Sequence, residues 1–434
     1  MSTPVTSLDR ETAAALGRRK NEPDWLVEWR AEAGDLAGRL ELPKPEKMPL
    51  ARWKLEVYGD YRPGRPVADP SELPAALTDL LSDAGAEALL VQHNSGVVLA
   101  RLPEELKARG VTLTSLEEAA RSHARLFRDH FMVAYRRDEH KLAALHAALW
   151  NGGAFLHVPK GVEIEHPVQI VVFADDPAAT LAPHILVIAE AGSRVTVVEH
   201  MYSALPEGAD TLLVNGAVEI FAKSGAHVSY ASVHHMESAA VDVAYRRAVL
   251  GADARVDWIV GDLHGGNLLS DIHSELEGRG SVSDIKVITV GTGSQRISLT
   301  TRARHVGQAS ESNMITRAVM LDEATSILTG VTKIEKGATK ANGEQTERVL
   351  MLSPKARGDA NPILLIDEDD VKAGHAASVG RVNEEQVYYL MSRGISRREA
   401  ERLIIHGFLE PTVAEIPLEG LRDTLRRILE RKLG

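Results

Sequence analysis

The sequence has no cysteine in 434 residues. This excludes disulfides, thiolate nucleophiles and the thiolate ligands of soft-metal sites, so any sulfur chemistry must borrow its thiolate from another chain. A basic excess is missing too: 61 acidic against 50 basic side chains leave a net charge of -11, with no positive field to neutralise phosphates or anionic lipid. Uncharged apolar runs such as residues 168–174 fall far short of the roughly 20 residues that cross a bilayer. Residues 1–8 have neither a basic start nor an apolar run, so no secretory signal is expected and the cytosol is the default compartment.

Nucleotide and hydrolase motifs are absent as well. No G-x-x-x-x-G-K-[ST] loop exists, and Gly291-Thr292-Gly293 lacks the third glycine of a dinucleotide fingerprint. H-E-x-x-H and G-x-S-x-G are missing, and Asp367-Glu368-Asp369-Asp370 has neither the glycine nor the terminal glutamate of an EF-hand loop. The expectation is a protein without catalytic turnover of its own.

What is present is a chain that folds, with 44% hydrophobic and 26% charged residues. Residues 1–150 read as an N-terminal helical and small α/β region. Trp25, Leu26, Trp29, Ala33, Leu36 and Leu40 recur at helical spacing, and Pro43, Pro45 and Pro49 end that helix. Further helices are expected at 77–81, 103–109, 115–127 and 138–150, with a strand pair at 88–99. From 151 to 366 the period becomes two, as in Val168, Ile170, Val172 and again in Val195, Val197. A turn-plus-strand unit recurs at Gly192, Gly225, Gly251 and Gly280, steps that suit one coil of a solenoid, with glycine supplying left-handed corners. An antiparallel sandwich would space its strands similarly, so periodicity alone leaves both architectures standing.

Residues 367–434 read as a C-terminal helical domain. Asn383 to Gln386 and Ser396 to Glu399 have capping-box spacing, which opens helices at 384–392 and 397–405; a third is expected at 418–432, with Leu418, Leu421, Leu425, Ile428 and Leu429 on one face. Several of the 17 histidines fall on expected strands: His157, His184, His200, His234, His235, His264, His273 and His305. Nothing in their spacing defines a metal site, and each reads as a surface or satisfied core residue. His375 differs, because small residues flank it on both sides in Ala373-Gly374-His375-Ala376-Ala377 and would let a partner approach the imidazole.

The stretch DDVKAGHAASVGRVNEEQVYYLMSRGISRREAERLIIHGFLEP, residues 369–411, closely resembles the C-terminal signature of the SufB/SufD family of iron-sulfur cluster assembly proteins. Residues 153–162 resemble the family's entry into its core, and residues 21–26 its N-terminal helix. The resemblance implies a mainly β fold, a right-handed parallel β-helix flanked by N- and C-terminal α-helical regions. It also implies a scaffold that pairs with a SufB-like subunit, binds a SufC-like ATPase through its C-terminal region, and carries a transient iron-sulfur cluster only at the interface with SufB. Two departures point to the SufD branch. Glu347 stands where the SufB branch carries a cysteine, and Ala376 follows His375 where SufB has glutamate. Ala373 replaces a cysteine found in many SufD chains.

His375 would then serve cluster assembly, as a metal ligand only together with a partner thiolate. Tyr388, Met391, Arg393, Gly394, Ile395, Ala400, Leu403, Ile404 and Phe408 would form the SufC contact, or else cap the open end of the solenoid. Two other readings stand beside this one: a β-helical polysaccharide-cleaving enzyme, and a homodimeric SufB-like scaffold. Neither a signal peptide nor a convincing carboxylate set supports the first, and the missing cysteine weakens the second.

Overall fold

Alternating side chains between 154 and 381 build sixteen strands, from β4 (Ala154–Val158) to β19 (Lys372–Arg381), in the computed structural model, which describes residues 8–75, 77, 87–236, 240–416 and 419–433. Odd- and even-numbered strands separate into two sheets, so two strands make a turn and sixteen make eight turns. Every pairing between successive turns is parallel, which decides for the solenoid over the sandwich. Arg194 lies level with His227, His227 with Arg255, Arg255 with Val282 and Val282 with Glu311, advances of 33, 28, 27 and 29 residues.

The corners are only partly glycine. Gly192, Gly225 and Gly280 have positive φ as expected, but Gly251 does not; Asp253 takes the left-handed position at that corner, with φ 55°. Gly251 is needed for another reason, since a Cβ there would lie 3.0 Å from the Ser224 nitrogen of the turn below.

Inward-facing residues of both sheets fill the lumen, among them Val197, Ile220, Tyr230, Trp258, Ile285 and Met314. Outside, the two sheets are covered by different helices. The N-terminal helices lie on the even-numbered sheet, packing Leu26, Phe127, Phe131 and Trp150 against Phe155, Leu186, Phe221 and Tyr245. With both faces covered, β8 (Leu212–Ala222) is buried at every position and its sequence loses the two-residue alternation. The solenoid also begins earlier than residue 151: β1 (Leu89–His93) pairs in parallel with β5 (Val168–Ala174) and antiparallel with β2 (Gly96–Arg101).

The expected N-terminal helix is two helices, Arg10–Arg19 and Asp24–Arg39. Asn21 turns left-handed between them (φ 53°) and Pro23 opens the second. A buried charge knot ties this pair to the core. Arg30 donates to both oxygens of Glu22 at 2.6 Å and to the carbonyls of Ala148 and Trp150, while Lys20 lies 3.1 Å from Glu22 and 3.0 Å from Glu117. The helix expected over 115–127 breaks at His123 into Leu116–Ser122 and Ala124–His130. Most of the helix expected at 77–81 lies outside the described residues.

At the other end the strands run on past residue 366. β18 (Arg357–Ile366) and β19 complete the last turn, so His375 sits on the solenoid and not in a helical tail. The helices that follow are Glu384–Ser392, Arg397–Val413 and Glu419–Leu433. The Ser396–Glu399 box forms in both directions, whereas Asn383 accepts only from the Glu385 N–H. The second helix continues beyond the expected end at 405 and through Gly407 and Pro411, because Ile405, Leu409 and Val413 are spaced to bury against the odd-numbered sheet. Leu425, Ile428 and Leu429 of the last helix join them on Val233, Ile259, Ile288 and Val290. Burying each such side chain contributes about 1.5–3 kcal/mol. Leu418 and the side chain of Leu421 lie outside the described residues.

Candidate functional site

The last turn ends both sheets. β19 pairs with β17 (Asn342–Met351) and β18 with β16 (Thr325–Ile334), and each stands at the end of its sheet. Their outer edges therefore present unpaired backbone N–H and C=O groups. Ile363, Leu365, Ile366 and Val379 are exposed there, at 37%, 48%, 41% and 42%. The helices lie on the side of the sheet and not over this end, so the capping role considered for the C-terminal apolar stripe is not what it does.

His375 occupies this turn. Parallel pairing sets it level with Gln345, and Ala377 level with Glu347, so the two β19 residues continue the lumen-facing rows of β17 outward. Gln345 and Glu347 are buried at 1% exposure, whereas His375 is exposed. The small neighbours have a steric cause at one position: a Cβ on Gly374 would lie 2.4 Å from Glu344 Oε2.

Beneath the rim, Glu347 is a buried carboxyl whose oxygens have no hydrogen-bond partner among the described residues. Burial pushes its pKa up to about 7, so it is neutral below that pH. Gly330 makes the room for it, since a Cβ there would lie 1.9 Å from Glu347 Oε1. The open end thus combines an accessible imidazole, a readily protonated carboxyl and two free strand edges. Such a rim offers a nitrogen ligand and a docking edge to another chain. Among the described residues His375 belongs to no group of three clustered ligands, so a metal held there needs ligands from elsewhere.

The helical candidates divide into two sets. Tyr388 (74% exposed), Met391 (43%) and Leu403 (52%) face solvent together with Tyr389 (57%). Arg393 and Gly394 are exposed in the turn between the helices, where Gly394 has φ 88° and the Arg393 guanidinium lies 5.2 Å from the Tyr389 ring centroid. Ala400 is fully buried, and Ile395, Ile404 and Phe408 are half-buried. Phe408 belongs to the inner side, with its carbonyl accepting from Arg317 and its ring 5.5 Å from that guanidinium. The first helix and the outer side of the second therefore present an apolar surface exposed among the described residues.

Sequence reading named His234 only as a surface or satisfied core histidine and missed the charged residues that join it inside the lumen. Glu199, His234, Asp242, Arg246 and Asp262 come together there from four strands, though 63 residues separate the first from the last. The signal was an ionisable residue at an inward position of an alternating strand, as in Tyr230-x-Ser232-x-His234. His184 is also buried, 2.9 Å from His146 and 3.0 Å from Glu219, while the carboxylate of Glu219 accepts from the backbone N–H groups of Met132, Ala134 and Tyr135.

Residues 172–408 match the family described as SUF system FeS cluster assembly, SufBD core domain, and residues 87–170 match the SufBD protein N-terminal region. The chain is 43% identical to the iron-sulfur cluster assembly protein SufD of Bacillus subtilis, over 98% of each. Identity to SufB of the same bacterium is 25%, over 95% of this chain and 90% of that one. A SufBD family protein of Pyrococcus horikoshii is 27% identical, over 96% and 94%. With a core match spanning more than half its length, this chain belongs to the SufB/SufD family of iron-sulfur cluster assembly proteins and is most like SufD.

Proposed function

We propose that the chain is the SufD-like scaffold of a SufB–SufC–SufD complex, pairing with a SufB-like subunit and binding a SufC-like ATPase. The uncapped last turn carries this reading. Its free edges and exposed Ile363, Leu365, Ile366 and Val379 suit strand-edge pairing with a second solenoid of the same fold. A nascent iron-sulfur cluster, as cargo, would form at that junction, with His375 giving a nitrogen ligand and the partner giving thiolates. The exposed Tyr388, Met391 and Leu403 surface, 43–74% accessible, suits an apolar partner such as the ATPase subunit. A cytoplasmic setting fits this role, and among the described residues no helix is long and apolar enough to cross a membrane.

Co-expression with SufB- and SufC-like subunits tests the reading. One complex containing all three chains is expected, and His375→Ala should assemble it with less cluster, read by visible absorption and iron content. Failure of the three chains to co-purify would remove the proposed role, and normal cluster content in the variant would remove His375 from it. A homodimer of the isolated chain is a second reading supported by the same free edges, since like edges can pair about a two-fold axis.

A further inference from the structure

Midway along the solenoid the apolar lining of the lumen gives way to charge. Glu199 comes from β7 (Arg194–Ser203), Ser232 and His234 from β9 (His227–His235), Asp242 and Arg246 from β10 (Ala240–Leu250), and Asp262 from β11 (Arg255–Asp262). All are 0–2% exposed. His234 Nδ1 lies 2.7 Å from Asp242 Oδ2 and 4.0 Å from Asp262 Oδ1. Arg246 Nη2 donates to Asp262 Oδ1 at 3.1 Å and to Ser232 Oγ at 3.1 Å, and lies 3.2 Å from His234 Nε2. Glu199 Oε2 accepts from Tyr230 at 3.0 Å and Ser232 at 2.8 Å, leaving Oε1 3.4 Å from His234 Nε2.

A network that only locked the strands in register would use its hydrogen-bonding capacity, because each buried polar atom left unmatched costs about 1–3 kcal/mol. This one does not. Asp242 Oδ1, Asp262 Oδ2 and the Nδ1 of the neighbouring His264, which is 3% exposed, have no hydrogen-bond partner among the described residues. Ligand atoms of His234, Asp242 and Asp262 all fall within 4.8 Å of one another, close enough to share one ion. Three carboxylates face one arginine, so a dication balances the site when His234 is neutral.

From this geometry we propose that His234, Asp242 and Asp262 bind a divalent transition-metal ion inside the lumen. An imidazole beside two carboxylates suits Mn(II), Fe(II) or Zn(II) better than Mg(II) or Ca(II), which take all-oxygen shells. Glu199 and Arg246 act on the ligands: the glutamate faces the far nitrogen of His234 and the arginine holds Asp262, the outer-shell arrangement that orients metal ligands.

Mn(II) titrated into the purified, chelator-treated full chain, followed by the loss of the aqueous Mn(II) electron-paramagnetic signal, tests the site. One tight equivalent per chain is expected, weakened more than about tenfold by Asp242→Asn and by Asp262→Asn. No tight binding by the parent chain, or binding by the aspartate variants as tight as the parent's, overturns the proposal. Should those variants fail to fold, electron spin-echo modulation on the parent chain decides: nitrogen coupling from a bonded imidazole supports the site, and its absence from tightly bound Mn(II) refutes it. Metal binding is read apart from cluster assembly, so failure here leaves the scaffold role standing, and the reverse.

Discussion

His375 lies level with Gln345 on the preceding turn, yet Gln345 is 1% exposed and His375 is open to solvent. Gln345 has a further turn above it and His375 has none. Gln345 is also anchored, accepting from Thr332 Oγ1 at 2.9 Å. Thermal unfolding should separate them: His375→Ala is expected to change stability by less than about 0.5 kcal/mol, and Gln345→Ala to lower it by about 1–3 kcal/mol. Equal losses would show that the rim is packed and not open.

Glu347 makes stability fall between pH 4.5 and 7. Its folded pKa, about 7, is above the ordinary 4.5 because burial disfavours the charge. Between these values the unfolded chain has lost its proton and the folded chain has not, so stability falls as pH rises from 4.5 to 7 and stays low above it. Glu347→Gln should therefore be more stable than the parent at pH 8, by about 3 kcal/mol at full effect, and should match it near pH 4. A parent and variant that track each other across that range would contradict this.

Buried histidines act in acid with the opposite slope. Burial lowers His140 and His305 to about 4, and His305 is held between the hydroxyls of Ser310 (2.9 Å) and Ser312 (2.8 Å). Their contribution is complete above 6.5, declines as pH falls below that value, and is gone below about 4, a loss of about 3 kcal/mol per group. Replacing His305 with glutamine should flatten the acid limb of a plot of melting temperature against pH.

The knot at Arg30 predicts a large local effect. Arg30→Met leaves the Glu22 carboxylate buried at 1% side-chain exposure, with Lys20 as its nearest cation at 3.1 Å. A loss of about 3–5 kcal/mol is expected in urea unfolding, with part of it recovered when Glu22→Gln is added. Full additivity of the two changes would mean that the pair does not interact.

The apolar helical surface should separate binding from stability. Tyr388→Ala combined with Leu403→Asp is expected to leave melting unchanged, because both side chains are more than half exposed, and to abolish co-purification with the SufC-like ATPase. Retention of the ATPase would exclude this surface as its dock.

The repeat, the helical ends and the capping of Ser396 by Glu399 were legible along the chain because they depend on neighbours a few residues apart, or on one periodicity sustained over many strands. The corner at Gly251 was misread because a left-handed turn can be taken by Asp253, and backbone conformation does not follow composition alone. The helix through Gly407 and Pro411 was cut short because burial of Leu409 and Val413 on the sheet outweighs local propensity, and that sheet is distant in sequence.

Sequence by itself determined that this chain repeats, that it has no thiolate to offer, and that His375 lies among residues small enough to be approached. Tertiary structure alone decided that His375 stands at an uncovered rim, that Glu347 is buried without a hydrogen-bond partner among the described residues, and that Glu199, His234, Asp242, Arg246 and Asp262 share one lumen. The reason is geometric: coiling brings residues about thirty positions apart to the same level, and which of them meet depends on corner lengths that differ from turn to turn, 33, 28, 27 and 29 residues here.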